Sequence, residues 1–226
     1  MKNSTKPNFD MIKSTFLHRA YEAYAIKDAA RIMILIDSKK HASFLEDNIH
    51  SFLDIGIYEE ALFIAMIGGC HCHPECWSDL IAYADLEKLR SIGDPIPTKP
   101  VTVYRGVAYI DGVVDRSGKI YCDGDEELDE LGDTCELGDF LWGYSWTLNK
   151  HTAAWFSNRL PNRTKNLSGK GAVFYAKIKP EDILFYSNRR GEEEVVVDKF
   201  KLPDYLRALK VMPEPIKPKS VDCDKL

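Results

Sequence analysis

With 226 residues, of which 45% are hydrophobic and 29% charged, the chain is long enough to bury one large or two small cores, and this excludes overall disorder. The net charge of −5 disfavours a broad electrostatic binder of nucleic acid, although a local basic groove is compatible with it. No apolar run has the length needed to cross a bilayer, and residues 1–13 lack the apolar core of a signal peptide. The composition therefore predicts a cytoplasmic protein without membrane contact.

The first part of the chain has a helical pattern. Apolar residues recur at helical spacing over residues 9–90, which predicts four or five short helices in a domain of residues 1–95. Asp54-Ile55-Gly56 is a predicted helix break, and the Gly- and Pro-containing segment 93–97 predicts an extended connector.

A cysteine-rich segment, Cys70-His71-Cys72-His73-Pro74-Glu75-Cys76, lies within this domain. Structural zinc sites usually draw four ligands from two close pairs separated by a longer loop, and the sequence offers no second pair. The segment therefore predicts a helix end with buried thiols, with zinc binding as the alternative. The scattered positions of the other three cysteines do not indicate a disulfide framework.

The pattern changes to alternation near residue 100. Val101–Val107 predicts a strand that carries Arg105 and Gly106. An arginine can bind a pair of phosphate oxygens, and a glycine permits close backbone approach; an ordinary surface arginine is the alternative. Leu141–Thr147 predicts a second strand, followed over residues 149–159 by a helix capped at Asn149 or Thr152. Residues 203–210 predict a further short helix.

The segment Gly191–Asp198 reads Gly-Glu-Glu-Glu-Val-Val-Val-Asp and predicts a buried strand. Along a strand, Glu192 and Glu194 share one face while Glu193 points away. Paired carboxylates suit chemistry at a glycosidic carbon, where one stabilises a developing oxocarbenium ion and the other handles a proton. A solvated strand end is the alternative interpretation. The acidic segment 123–139 predicts a solvated loop or short helix, with a surface for a basic partner as the alternative.

Three short motifs together resemble the signature of a known enzyme family. They are Tyr-Arg-Gly at 104–106, Ser-Trp-Thr-Leu-Asn-Lys at 145–150 with Ala-Ala-Trp-Phe close behind, and Glu-Glu-Glu-Val-Val-Val at 192–197. Their order and spacing are similar to the Arg…Ser-x-Ser/Thr…Glu-x-Glu signature of the cholera-toxin-type mono-ADP-ribosyltransferases. That family includes bacterial toxins, vertebrate arginine-specific transferases and phage enzymes.

The resemblance covers about residues 99–200 and implies an α+β protein. In this expectation the helical domain 1–95 precedes a small ADP-ribosyltransferase-like catalytic domain, residues 96–210, and a flexible tail, residues 211–226. The catalytic domain would have a core of two packed β-sheets with NAD in the cleft between them.

The resemblance also implies site residues. Glu194 would bind the ribose 2′-hydroxyl and stabilise the oxocarbenium ion, and Glu192 would take the proton from an attacking guanidinium. Ser145, with Thr147 behind it, would orient the catalytic glutamate, and Arg105 would hold the NAD phosphates. The other implied cofactor-binding residues are Gly106, Trp146, Phe156 and Arg159, although the family commonly has a small residue at the position of Trp146.

Two loops complete the implied site. The basic loop 158–170 would be the mobile phosphate–nicotinamide loop. Phe185 or Tyr186, with the turn Ser187–Gly191, would meet the target.

The implied activity is cleavage of NAD, which is a substrate here, without a metal, and transfer of ADP-ribose to a macromolecule, with a protein arginine as the first expectation. One alternative is transfer to a base of RNA or DNA, as by the toxin of a toxin–antitoxin or antiphage system. Another is a non-catalytic interaction module on the same fold. An antitoxin or other protein partner would be expected at the helical domain.

Overall fold

The computed structural model describes residues 6–68, 74–110, 113–114, 120–121, 144–159, 170–198 and 207–209. The chain combines helices with an antiparallel sheet, and the predicted α+β class is confirmed. It divides into two compact units, Met1–Gly93 and Asp94–Leu226. Four sequence expectations lie wholly or mainly outside the described residues: those for Cys70–Cys76, the acidic segment 123–139, the basic loop 158–170 and the tail 211–226.

The described part of the first unit contains short helices, one or two more than the pattern predicted. They are α1 (Leu17–Ala25), α2 (Ala29–Met33), α3 (His41–Ile55), α4 (Tyr58–Ile67), α5 (Pro74–Ala82) and α6 (Leu86–Ile92), with 3-10 turns at Ser14–Phe16 and Ser38–Lys40.

Local sequence explains where several of these helices begin and end. The Asp28 carboxylate accepts from the Arg31 amide at the start of α2, and Asp85 accepts from the Glu87 and Lys88 amides at the start of α6. Helix α3 ends at Gly56, which has a φ of 79°, in the left-handed region that glycine adopts without strain. The predicted break at this position is confirmed.

The second unit contains the strands and one helix. They are β1 (Val101–Ile110), β2 (Val113–Val114), β3 (Ile120–Tyr121), β4 (Ser145–Thr147), α7 (Lys150–Arg159), β5 (Lys170–Ile178), β6 (Ile183–Ser187), β7 (Glu194–Val197) and β8 (Arg207–Leu209), with a 3-10 turn at Pro180–Asp182. Six of the strands form one antiparallel sheet in the order β6-β7-β4-β1-β5-β8, and β2 pairs with β3 in a separate two-stranded sheet.

The two faces of the six-stranded sheet pack differently. One face carries the main hydrophobic cluster of this unit, formed by Val103, Trp146, Phe174, Ala176, Ile178, Ile183, Val195 and Val197. Helix α7 packs on the other face, where Ala153 and Ala154 contact Val173 and Tyr104. Asn149 accepts from the His151 and Thr152 amides, which confirms it as the predicted cap of this helix.

Helix α7 approaches β1 so closely that Gly106 must be a glycine. A Cβ added there would lie 1.8 Å from the Ala153 carbonyl oxygen and 2.7 Å from the Ser157 amide nitrogen. Both atoms belong to the helix backbone and cannot rotate away, so the helix would have to shift. Helix packing therefore accounts for this glycine without a bound phosphate.

The described residues form one six-stranded sheet and a separate two-stranded sheet, and the expected core of two packed sheets stays a prediction. Two other sequence expectations about the sheet were wrong. The end of the predicted helix 203–210 is strand β8, in which Leu209 pairs with Val173, because an open sheet edge satisfies the backbone hydrogen bonds of this segment. Strand β7 begins only at Glu194, so Glu192 lies outside it.

In the described part of the chain, no helix combines the length and the apolar character that crossing a membrane requires.

Candidate active site

The candidate site is centred on Glu194, the first residue of β7. Strands β4 and β7 pair in antiparallel register, with Thr147 opposite Glu194 and Ser145 opposite Val196. The Ser145 hydroxyl donates a hydrogen bond of 2.5 Å to Glu194 Oε1. Only 7% of Glu194 is exposed, so this serine fixes a carboxylate that is nearly surrounded by protein.

Arg105 extends this contact to a third strand. It lies on β1, which neighbours β4, and its Nη1 donates to the carbonyl oxygen of Ser145. Arg105, Ser145 and Glu194 therefore form a continuous chain of contacts across the adjacent strands β1, β4 and β7. Strand pairing thus brings the backbone of Ser145 into contact with Arg105 and the hydroxyl of Ser145 into contact with Glu194.

Arg190 contacts both acids of the Glu-x-Glu motif. Its Nη2 lies 2.9 Å from Glu192 Oε2 and 3.2 Å from Glu194 Oε2. Arg190 lies in the turn Ser187–Gly191 that was expected to meet the target, but no sequence motif assigned this arginine to the site. Its spacing of two and four residues from the acids was the available signal, but a charge run of this kind is also common on solvated surfaces.

The turn formed by residues 188–193 explains how Glu192 reaches the site from outside the strand. Gly191 has a φ of 67° and Glu193 a φ of 49°, so the backbone bends sharply just before β7. Thr147 Oγ1 donates to the Glu192 carbonyl oxygen at 2.6 Å, and the Leu148 amide donates to the Glu193 carbonyl oxygen at 3.0 Å. A backbone bend, and not the alternation of side chains along a strand, thus brings the carboxylates of Glu192 and Glu194 to the same nitrogen of Arg190.

Asp94 anchors the start of this turn. Its Oδ2 accepts from the Asn188 amide at 2.6 Å, and its own amide donates to the Tyr186 carbonyl oxygen at 2.8 Å. The Asn188 side chain in turn accepts from the Glu193 amide at 3.3 Å. No sequence motif pointed to Asp94, because it lies 94 positions from Asn188.

Burial raises the pKa of Glu194 above its ordinary value, and the neighbouring Glu192 carboxylate raises it further. The hydrogen bond from Ser145 and the charge of Arg190 act in the opposite direction and favour the ionised form. The site therefore holds a carboxylate with little water around it, where interactions between charges are stronger than in bulk solvent.

Comparison of the chain with protein-family models, with curated proteins and with solved structures found no match. The meaning of the site therefore rests on its own residues. An oriented, poorly solvated carboxylate with a second acid beside it can stabilise a developing positive charge and accept a proton.

The other predicted site residues have different positions. Thr147 is buried, and its hydroxyl contacts only backbone in the hydrogen bonds described: it donates to Glu192 and accepts from the Asn149 amide at 3.0 Å. Phe156 is half-buried on α7, with its ring 4.9 Å from that of Trp155. Arg159 ends α7, and its side chain lies outside the described part of the chain.

The expectation that Trp146 lies in the site was wrong. It was expected to bind the cofactor, but it is only 2% exposed and packs in the main hydrophobic cluster beside Val195. Side chains alternate along β4, so Ser145 and Thr147 face one side of the sheet and Trp146 faces the other. A large apolar side chain at this position is explained by core packing.

Among the residues that the structure describes, no group of three or more His, Cys, Asp or Glu side chains could hold a metal ion.

Proposed function

We propose that this protein is an NAD-dependent mono-ADP-ribosyltransferase, with the second unit as the catalytic domain of that fold family. The observation that carries this proposal is the hydrogen bond from Ser145 to the buried Glu194, in a chain of contacts that begins at Arg105. The three residues lie on the adjacent strands β1, β4 and β7.

Cleavage of the bond between nicotinamide and ribose needs a negative charge beside the ribose. When the bond between nicotinamide and ribose breaks, positive charge develops on the ribose carbon and its ring oxygen. Glu194 supplies a carboxylate that Ser145 holds in one orientation, in surroundings with little water. A preorganised charge of this kind stabilises the transition state more than the ground state, because the positive charge is absent from the ribose until the bond breaks.

A protein arginine is the proposed acceptor. Glu192 is the proposed base, since its carboxylate contacts the same Arg190 nitrogen as that of Glu194 and its side chain is more exposed, 28% against 10%. Both acids already bind a guanidinium, that of Arg190, through one nitrogen atom. The pair therefore has the spacing and charge that an arginine side chain needs in order to approach the ribose carbon.

The test is release of nicotinamide from NAD by the purified protein. Wild type should release nicotinamide, and Glu194→Gln should release it on the order of 10² to 10³ times more slowly, which is the usual effect of removing one stabilising group from a preorganised site. Glu181→Gln is a matched control, because this acid is 67% exposed on the 3-10 turn before β6. Equal rates for wild type and Glu194→Gln, with the fold intact by circular dichroism, would contradict the proposal.

A further inference from the structure

The guanidinium of Arg190 occupies the position that the proposed reaction assigns to its acceptor. One nitrogen, Nη2, lies 2.9 Å from the proposed base Glu192 and 3.2 Å from the proposed ribose-stabilising Glu194. We infer that Arg190 is an internal acceptor, and that the protein ADP-ribosylates this side chain on its own chain. The inference rests on the proposed function and adds to it a specific modification site.

The turn of residues 188–193 holds Arg190 near the acids. Hydrogen bonds connect this turn to Asp94 at its start and to Thr147 and Leu148 at its end. Arg190 needs no large movement of the backbone to reach the acids, because the structure already contains both contacts. Such prior positioning lowers the entropic cost of bringing a nucleophile to a reacting carbon.

The Arg190 side chain is also accessible enough to react. Its side chain is 40% exposed, whereas that of Glu194 is 10% exposed. NAD bound with its ribose against Glu194 would displace Arg190 from that acid and leave the shorter contact to Glu192 in place. The nucleophile would then lie between the ribose carbon and the base that accepts its proton.

The proposed step balances in atoms and electrons. The bond between the ribose carbon and the nicotinamide ring nitrogen breaks, and its electron pair leaves with nicotinamide, which becomes neutral. A guanidino nitrogen of Arg190 forms the new bond to that carbon, and one of its protons passes to Glu192 and then to solvent. No oxidant, reductant or further reactant is required.

The experiment is incubation of the full-length protein with NAD and no added acceptor, followed by intact mass spectrometry and mapping of the modified peptide. We expect one ADP-ribosyl group on Arg190 of wild type and loss of that adduct in Arg190→Gln. Arg189→Gln is the matched neighbour and should keep the adduct at Arg190. The modified fraction at a fixed time should not change with protein concentration, because the reaction takes place within one chain.

Two further measurements distinguish the possible failures. Nicotinamide release is followed in the same samples: release without an adduct on Arg190 overturns this inference and leaves the proposed function standing, whereas no release from wild type overturns both. Incubation with free ADP-ribose in place of NAD should leave Arg190 unmodified. An adduct that forms equally well from free ADP-ribose, or whose rate rises with protein concentration, also overturns the inference.

Discussion

The Ser145 hydroxyl donates a 2.5 Å hydrogen bond to Glu194 Oε1 although the two residues lie 49 positions apart in the chain. This bond has two effects on the site. It fixes the direction of the carboxylate, and it opposes the rise in the pKa of Glu194 that burial causes. Ser145 therefore helps to keep Glu194 ionised although its carboxylate is buried.

Ser145→Ala should make the proposed reaction slower and more dependent on pH. Loss of the hydrogen bond raises the pKa of Glu194 further, so the acidic limb of the rate profile should move to higher pH. At neutral pH we expect a rate lower by about 10 to 150 times, since a hydrogen bond to a charged group contributes about 1.5 to 3 kcal/mol. The measurement is nicotinamide release between pH 5 and 9.

Ser157→Ala is a suitable control for this variant, because Ser157 is also buried and its hydroxyl donates to the Ala154 carbonyl oxygen within its own helix. An acidic limb at the same pH in Ser145→Ala and in wild type would mean that Glu194 is not the titrating group.

Glu192→Gln should separate transfer from hydrolysis. Water is a smaller and uncharged nucleophile and needs less help than a protonated guanidinium, so slow hydrolysis of NAD should largely continue. Transfer of ADP-ribose to an arginine-containing peptide should fall by about 10² to 10⁴ times, the usual contribution of a general base. Both products are measured in one assay, with Glu194→Gln beside it. Loss of hydrolysis in Glu192→Gln but not in Glu194→Gln would show that the two roles are reversed.

Glu194→Gln should stabilise the fold at neutral pH. A raised pKa means that folding favours the protonated acid, so burial costs nothing below the ordinary pKa of about 4.5 and costs progressively more as the pH rises through the raised value. The unfolding midpoint of the glutamine variant should therefore exceed that of wild type by about 2 to 4 °C per kcal/mol of relieved cost, and only at the higher pH. Thermal unfolding of both proteins at pH 4 and pH 7.5 tests this, and a difference that is larger at pH 4 would contradict it.

Arg105→Lys should weaken NAD binding. Arginine can donate to the Ser145 carbonyl oxygen from one nitrogen while other nitrogens face a phosphate, and a lysine ammonium cannot reproduce this planar geometry. We expect a dissociation constant about tenfold higher, equivalent to about 1.4 kcal/mol, by calorimetric titration. Arg31→Lys is the control, because that side chain is 71% exposed on α2. Unchanged affinity in a folded Arg105→Lys protein would exclude Arg105 from the phosphate site.

Gly106→Ala should unfold or severely destabilise the second unit. The new methyl group would overlap the Ala153 carbonyl oxygen at 1.8 Å, so we expect a loss of about 3 kcal/mol or more, at the upper end of overpacking effects. Gly56→Ala is the comparison, because nothing lies within 4 Å of its Cβ position and only backbone strain of about 1 to 2 kcal/mol is expected there. Denaturant unfolding measures both, and equal losses would mean that α7 shifts without cost.

Part of the site follows from the sequence alone, because its signals are local. The alternation around Arg105, the β-branched run after Glu194 and the cap at Asn149 each depend on a few neighbouring residues and on backbone geometry. These patterns correctly indicated strands β1 and β7 and helix α7. The order of the three motifs also named Arg105, Ser145 and Glu194, which the sheet brings into contact.

Only the tertiary structure decided which further residues form or support the site. Which face of a strand is buried depends on what packs against it, so Trp146 is a core residue although it lies between two residues that face the site. The contacts of Arg190 depend on a bend with two left-handed residues, one of them Glu193, which is a rare conformation for a glutamate. Asp94 supports that bend through a hydrogen bond to Asn188, which lies 94 positions away in the sequence. Such a contact leaves no periodic pattern in the sequence, because it depends on the tertiary fold and not on the conformational preferences of neighbouring residues.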